Sequence, residues 1–181
     1  RRPLALGAQG LQGRQAMLKA LPLLLALAAG NVTAEPAAAL PPVEVFTPMV
    51  CLTCIEWAEH LRQNGFTVKV TPTDDMDAVK RRLKVPRDME SVPSARVAGY
   101  FVEGHVPAED IKLLLSEKPR ALGLAVPGLP QGAPGREFSN PTCETACTML
   151  DKEGVEQTVR REFFETFLID RKGKPSRFAR H

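Results

Sequence analysis

Rings are scarce in this chain: one Trp, one Tyr and eight Phe in 181 residues. So few aromatic faces give no stacking surface for single-stranded nucleic acid. The GxSxG elbow, the HExxH helix, the GxxxxGK[ST] loop and the spacing of a calcium loop are all missing, and with them the enzyme and ion-binding classes they mark. Long apolar runs are missing too, apart from Ala20–Ala29, which follows the basic start Met17-Leu18-Lys19 and precedes the small residues Val32-Thr33-Ala34. That arrangement reads as a signal peptide over 17–34, its apolar part short for a comfortable bilayer span, with an uncleaved membrane anchor as the alternative. Residues 1–16 precede Met17 and are expected to lie upstream of the translated start. The Pro/Ala-rich stretch 35–42 reads as a linker. Excess charge is also lacking once the leader is set aside. Four of the 24 basic residues and none of the 21 acids fall within 1–34, so the remainder carries 20 bases and 21 acids, a net of −1. No basic footprint for nucleic acid or anionic lipid survives, and no membrane association is expected after cleavage. The remaining 147 residues suffice for one domain with a hydrophobic core, 43–181.

What the chain does have is two local cysteine pairs, Cys51/Cys54 and Cys143/Cys147. A bridge across so short a loop removes little unfolded-state entropy, so chemistry is a better reason for such pairs than stability. Cys51-Leu52-Thr53-Cys54 falls where the alternating run Val43-Glu44-Val45-Phe46-Thr47 gives way to Cys54, Trp57, Ala58 and Leu61, one apolar helix face. A strand that delivers two cysteines to a helix N-terminus sets their sulfurs near unpaired N–H groups and the positive end of the dipole. Thiolate is favoured there over thiol.

Along the chain, strand Val43–Thr47 leads to a helix from Cys51 to Asn64, with Gly65 suited to the left-handed position just past its end. Strand Phe66–Val70 follows, then a helix capped by Thr73 or Asp74 through Met76, Val79 and Leu83 and stopping before Pro86. Ala95–Ala98 and Phe101–Val102 read as a hairpin entered through Ser91-Val92-Pro93-Ser94. A third helix spans Ala108–Ser116, with Pro107 at its start. The stretch 118–135 is rich in Gly and Pro and reads as an ordered surface loop. Residues 140–164 read as polar and helical and carry Cys143 and Cys147. Thr166–Ile169 and Ser176–Ala179 close the chain as a hairpin.

The order βαβαββα resembles thioredoxin-like α/β domains, with a C-terminal hairpin and an inserted helical segment (139–165) added. The resemblance implies a cis Pro93 whose loop faces the CxxC. A closer likeness is to the bacterial family called domain of unknown function 411, small exported proteins associated with metal binding and copper resistance. It is carried by the cysteine-bearing strand–helix junction ending in Trp57, by Gly99-Tyr100-Phe101-Val102-Glu103-Gly104-His105-Val106-Pro107-Ala108-Glu109-Asp110-Ile111, by Gly123-Leu124-Ala125-Val126-Pro127-Gly128, and by the final hairpin. The likeness implies a periplasmic or secreted bacterial protein, a soft metal, copper as Cu(I), and a redox or metallochaperone protein as partner. The chain departs from the family pattern where ligands are expected. Thr53 replaces the middle thiol of Cys-Gly-Cys-Cys, and Val92-Pro93 replaces the Cys-His of Ser-Cys-His-Thr.

Three chemistries remain open for Cys51 and Cys54. In the metal reading, favoured through the family, two thiolates hold one Cu(I) or part of a zinc site. In the redox reading, an exposed Cys51 attacks a disulfide, the buried Cys54 resolves the mixed disulfide, and Pro93 shapes the site. In the third, the pair is a plain local bridge. Cys143 and Cys147, at i and i+4 on a helix, share a face and can bridge, bind metal or act as a second dithiol. Met49 offers a thioether suited to Cu(I), and His105 an imidazole, as further candidate ligands.

Overall fold

A computed structural model of the chain describes residues 39–137 and 162–181. The expected signal peptide and upstream stretch, and the cysteines at 143 and 147, lie outside the described residues.

The order expected from the sequence is present: β1 (Val43–Thr47), α1 (Leu52–Gln63), β2 (Val68–Pro72), α2 (Met76–Leu83), β3 (Ser94–Val97), β4 (Tyr100–Glu103) and α3 (Ala108–Glu117). One strand was not expected. β5 (Ala121–Ala125) lies within the stretch read as a surface loop and runs through the interior of the sheet, ahead of the closing hairpin β6 (Glu165–Asp170) and β7 (Pro175–Arg180). The seven strands lie in the order β2-β1-β3-β4-β5-β6-β7. β1 is parallel to β2 and β4 to β5, each pair joined by the helical crossover that a parallel connection needs, and the other neighbouring pairs are antiparallel. The helical reading of 140–164 fails at its described end, because Phe164 already exchanges backbone hydrogen bonds with His181.

Alternation along the strands divides the core between the two faces of the sheet. Val43, Val45, Ala95, Val97, Val102, Leu124 and Val126 pack with Trp57 and Leu61 of α1 and with Ile111 and Leu114 of α3. Phe101, Ala125 and Ile169 point the other way, onto Val85, Leu83 and Met89 in and after α2. The helix signals act as expected, with small shifts. Asn64 ends α1 and Gly65 takes φ +91° beyond it. The cap of α2 is Asp75, whose carboxylate accepts from Ala78 N–H at 2.8 Å, rather than Thr73 or Asp74. Thr73 instead accepts from the Asp75 N–H, one turn earlier in the same cap. His60 of α1 accepts from Ala108 N–H at 3.1 Å, which ties α1 to the start of α3. Leu40, in the expected linker, already packs against the core.

Gly123 explains why β5 escaped a reading by alternation. A Cβ at this position would run into the Phe101 carbonyl on the neighbouring strand. The residue must therefore be glycine, and the strand loses the side chain that would have marked its period. Gly123→Ala is expected to destabilise the fold by about 1–3 kcal/mol, the usual range for overpacking. Chemical denaturation measures this, and an unchanged midpoint would contradict the close approach of β4 and β5.

Candidate functional site

One row of paired residues crosses the sheet: Phe46 beside Ser94, Ser94 beside Glu103, and Glu103 beside Ala125. Just past it, at one end of the sheet, come the Pro48–Cys51 turn, Pro93, His105 and the glycine-rich stretch after Val126. The topology thus brings together segments that lie far apart in the sequence.

Cys51 is the N-cap of α1, with φ −155° and ψ 90°, and its sulfur accepts from Cys54 N–H at 3.3 Å. It takes the place of the Ser, Thr or Asp oxygen that commonly satisfies this donor. The two sulfurs lie at bonding distance, with Cα atoms 5.3 Å apart. Thr53 Oγ1 is 3.7 Å from the Cys51 sulfur. The expectation of an exposed Cys51 is corrected, since it is only 4 % exposed and Cys54 is fully buried. The cause is local: capping the helix turns Cys51 Sγ inward over the first turn, toward Cys54. What stands at the surface is the apolar rim of Met49, Val50, Leu52 and Ile55.

Behind the pair, Trp57 is buried and its indole N–H donates to Val106 O at 2.8 Å. The glycine-rich stretch lies directly on α1. A Cβ on Gly135, which has φ +80°, would stand 2.6 Å from Trp57 N and 2.9 Å from Thr53 O, so only glycine lets the backbone approach so closely. His105 is fully buried beneath this stretch, its Nδ1 2.7 Å from Pro134 O. Burial pushes its pKa down to about 4, the hydrogen bond to Pro134 opposing and the charge of Arg136 assisting. A neutral ring facing a carbonyl carries its proton on Nδ1, which leaves the buried Nε2 as a bare lone pair.

At the same end of the sheet, the Val92–Pro93 peptide is cis. Its loop is held from both sides. Pro93 O accepts from Gly104 N–H at 2.7 Å, and Ser91 N–H donates to Glu103 at 2.7 Å. The buried Lys80 amine donates to Glu103 and to Ser91 O, with Ser94 Oγ at 3.4 Å. Burial raises the Glu103 pKa, while Lys80 and the hydrogen bonds oppose it. The sequence reading passed over Lys80 and Glu103. A charged residue closing the buried run Phe101-Val102 was the available signal.

Of the expected site residues, Cys51 and Cys54 are therefore joined at the head of α1. Pro93 shares their end of the sheet, Met49 stands on the rim, and His105 sits beneath the glycine-rich stretch. Among the described residues, no three of His, Cys, Asp and Glu are grouped as a metal site.

Two solved structures, copper resistance protein CopG in form 1 and in form 2, resemble this fold. Each has a TM-score of 0.64 and 35 % identity, covering 78 % of this chain and 98 % of the other. The model of the family described as protein of unknown function, DUF411, matches residues 89–136. The chain belongs to the DUF411 family. No curated protein matches it. The DUF411 match spans the Ser91–Ser94 loop, Glu103, His105 and Gly135, the segments that converge on the cysteine-bearing end of the sheet.

Folding holds the His105 ring neutral, whereas the unfolded chain protonates its histidines near pH 6.5. The stability this contributes is complete above about pH 6.5 and is lost as pH falls toward about 4, roughly 3 kcal/mol in all. An NMR titration of the imidazole should show a neutral Nδ1–H tautomer down to about pH 4. A midpoint near 6.5 would contradict the burial.

Proposed function

We propose that this chain is an exported, thioredoxin-like thiol–disulfide exchange protein serving copper handling, with Cys51 and Cys54 as the exchanging pair. The observation that carries this reading is the cap: Cys51 Sγ accepts the Cys54 N–H at the positive end of α1, where negative charge on sulfur is stabilised. In the joined form the pair is ready to accept two electrons. A partner thiolate attacks Cys51 Sγ, the Cys51–Cys54 bond breaks, and Cys54 leaves as a thiolate that takes up a proton. The partner's second thiolate then attacks the partner sulfur of the mixed disulfide and releases Cys51. The partner has lost two electrons and two protons, which the Cys51/Cys54 dithiol has gained. The reverse sequence reduces a disulfide. The loop around Pro93, locked by Lys80 and Glu103, forms the fixed wall of the site.

A second reading, Cu(I) carried as cargo by the reduced pair, draws on the names of the two CopG structures. Two thiolates and the exposed Met49 thioether are soft donors suited to Cu(I). The donor set is too small for a resident centre of several copper ions, because Thr53, Val92 and Pro93 stand where the family pattern has ligands.

Both readings can be tested in a background with Cys143 and Cys147 replaced by Ser, so that only one pair responds. With a small-molecule disulfide as terminal oxidant, exchange predicts catalysed oxidation of a dithiol peptide, abolished by Cys51→Ser. With the disulfide form of the same peptide, attack by the Cys51 thiolate in Cys54→Ser should trap a mixed disulfide at Cys51, visible by mass spectrometry. Absence of both turnover and trapped adduct would overturn the exchange reading. Anaerobic Cu(I) titration of the reduced protein against a competing chelator tests the second reading. It predicts one ion per chain, lost in the Cys51→Ser, Cys54→Ser double variant.

A further inference from the structure

The near-zero net charge expected beyond the leader conceals a local excess of one sign. Gly173, in the β6–β7 turn, lies against the loop that follows α2: a Cβ on it would stand 4.0 Å from Pro86 Cγ. Packing of Ile169 with Val85, Leu83 and Met89 holds the two segments together. Within two residues of this contact come Lys84, Arg87, Arg171, Lys172 and Lys174, all exposed. Arg120, also exposed, joins them, because Ala121 pairs with Asp170 at the start of the same turn. The six cations stand at the end of the sheet remote from Cys51 and Cys54. β5 starts there, at Ala121, and ends at Ala125, in the row of residues that borders the cysteines.

Two acids, Asp88 and Asp170, lie in the same stretches. Asp170 is engaged in building the turn, its Oδ1 accepting from Lys172 N–H at 2.8 Å and from Lys174 N–H at 2.9 Å. None of the six cations closes an ion pair among the described residues, whereas Arg177 and Arg180 of β7 both pair with Glu165. No exposed large apolar side chain and no aromatic ring stands in these stretches, so neither insertion into a bilayer nor base stacking is offered. What adjoins the cations is a strand edge. β7 begins at Pro175, directly after Lys174, and among the described residues β6 is its only strand neighbour. Cations on an edge strand guard it against unwanted pairing. These six lie in the loop after α2, ahead of β5 and in the turn, where no edge needs guarding.

We propose that Lys84, Arg87, Arg120, Arg171, Lys172 and Lys174 form a docking surface for an acidic, extended segment of a partner protein, which continues from the cations onto the free edge of β7. Carboxylates of the segment meet the cations, and its backbone pairs with the N–H and C=O groups along that edge. The edge selects a polypeptide over a lipid surface or a nucleic acid, since neither of those presents amides at strand spacing. Docking here leaves the Cys51–Cys54 end open, whatever chemistry the pair performs. A partner held at this pole also reaches the pair at a raised effective concentration.

Fluorescence anisotropy of labelled synthetic peptides added to the full chain is the test. One peptide alternates Glu and Thr. A second keeps every Glu but has Pro in place of Thr, which stops it from adding as a strand. The Glu–Thr peptide should bind, and more weakly as salt is raised. Its affinity should fall about ten-fold in Arg87→Glu, Lys172→Glu, and the Glu–Pro peptide should bind about ten-fold more weakly to the unsubstituted chain. Arg62→Glu, Lys69→Glu, which changes the net charge equally at the far edge of the sheet, should leave binding unchanged. Circular dichroism confirms that each variant is folded. If the charge reversal is not, Arg87→Gln, Lys172→Gln takes its place, with an expected loss of about three-fold. Equal losses in the two reversal variants would overturn the inference, because net charge alone would then be at work. So would a Glu–Pro peptide that binds as tightly as Glu–Thr, or no binding of the Glu–Thr peptide at all. Phosphatidylglycerol vesicles that bind the chain through Arg87 and Lys172 while the Glu–Thr peptide does not would likewise overturn it, with a lipid surface as the occupant. None of these outcomes bears on the exchange reading.

Discussion

The first backbone donors of α1 need an acceptor, and at this helix the acceptor is a sulfur atom. Sulfur is a weak acceptor compared with the oxygen of Ser, Thr or Asp, and it improves as negative charge develops on it. The same contact that starts the helix therefore couples the cap to the chemical state of Cys51. It also determines burial. To reach Cys54 N–H, the Cys51 side chain must fold over the first turn, so its sulfur is recessed and the neighbouring residues form the surface.

Around this contact the fold converges from both faces of the sheet. On the α1 side, Gly135 allows the glycine-rich stretch to lie on Thr53 and Trp57, and Pro134 holds His105 beneath it. On the α2 side, Lys80 and Glu103 grip both ends of the loop that contains Pro93. A buried ion pair is costly to desolvate and is a poor source of net stability, but it resists rearrangement, because moving either partner strands a charge. Its place here is to hold a loop in one position. Rigid walls on both faces leave the rim as the freely accessible part of the site.

Much of this was legible in the sequence. β1 was visible as alternation from Val43 to Thr47, α1 as the stripe Cys54, Trp57, Ala58 and Leu61, and its end as Gly65. What escaped depended on contacts between distant segments. β5 is short, enclosed by Pro119 and Pro127, and deprived of its period by Gly123, whose identity is dictated by the neighbouring strand. Lys80 and Glu103 are 23 positions apart, and each taken alone reads as an ordinary surface charge. The CxxC could be located at the helix start by pattern, but the inward turn of Cys51 follows from which backbone N–H it caps. Pattern reading placed the elements; side-chain direction and cross-strand contact made the site.

The account treats the Cys51–Cys54 bond as exchangeable rather than as a staple. Equilibration of the folded protein across a series of glutathione redox buffers, with differential alkylation read by mass spectrometry, tests this most directly. The account predicts a single cooperative two-electron transition of Cys51 and Cys54, with the circular dichroism of the fold unchanged throughout. A bond that stays closed until the protein unfolds would contradict it.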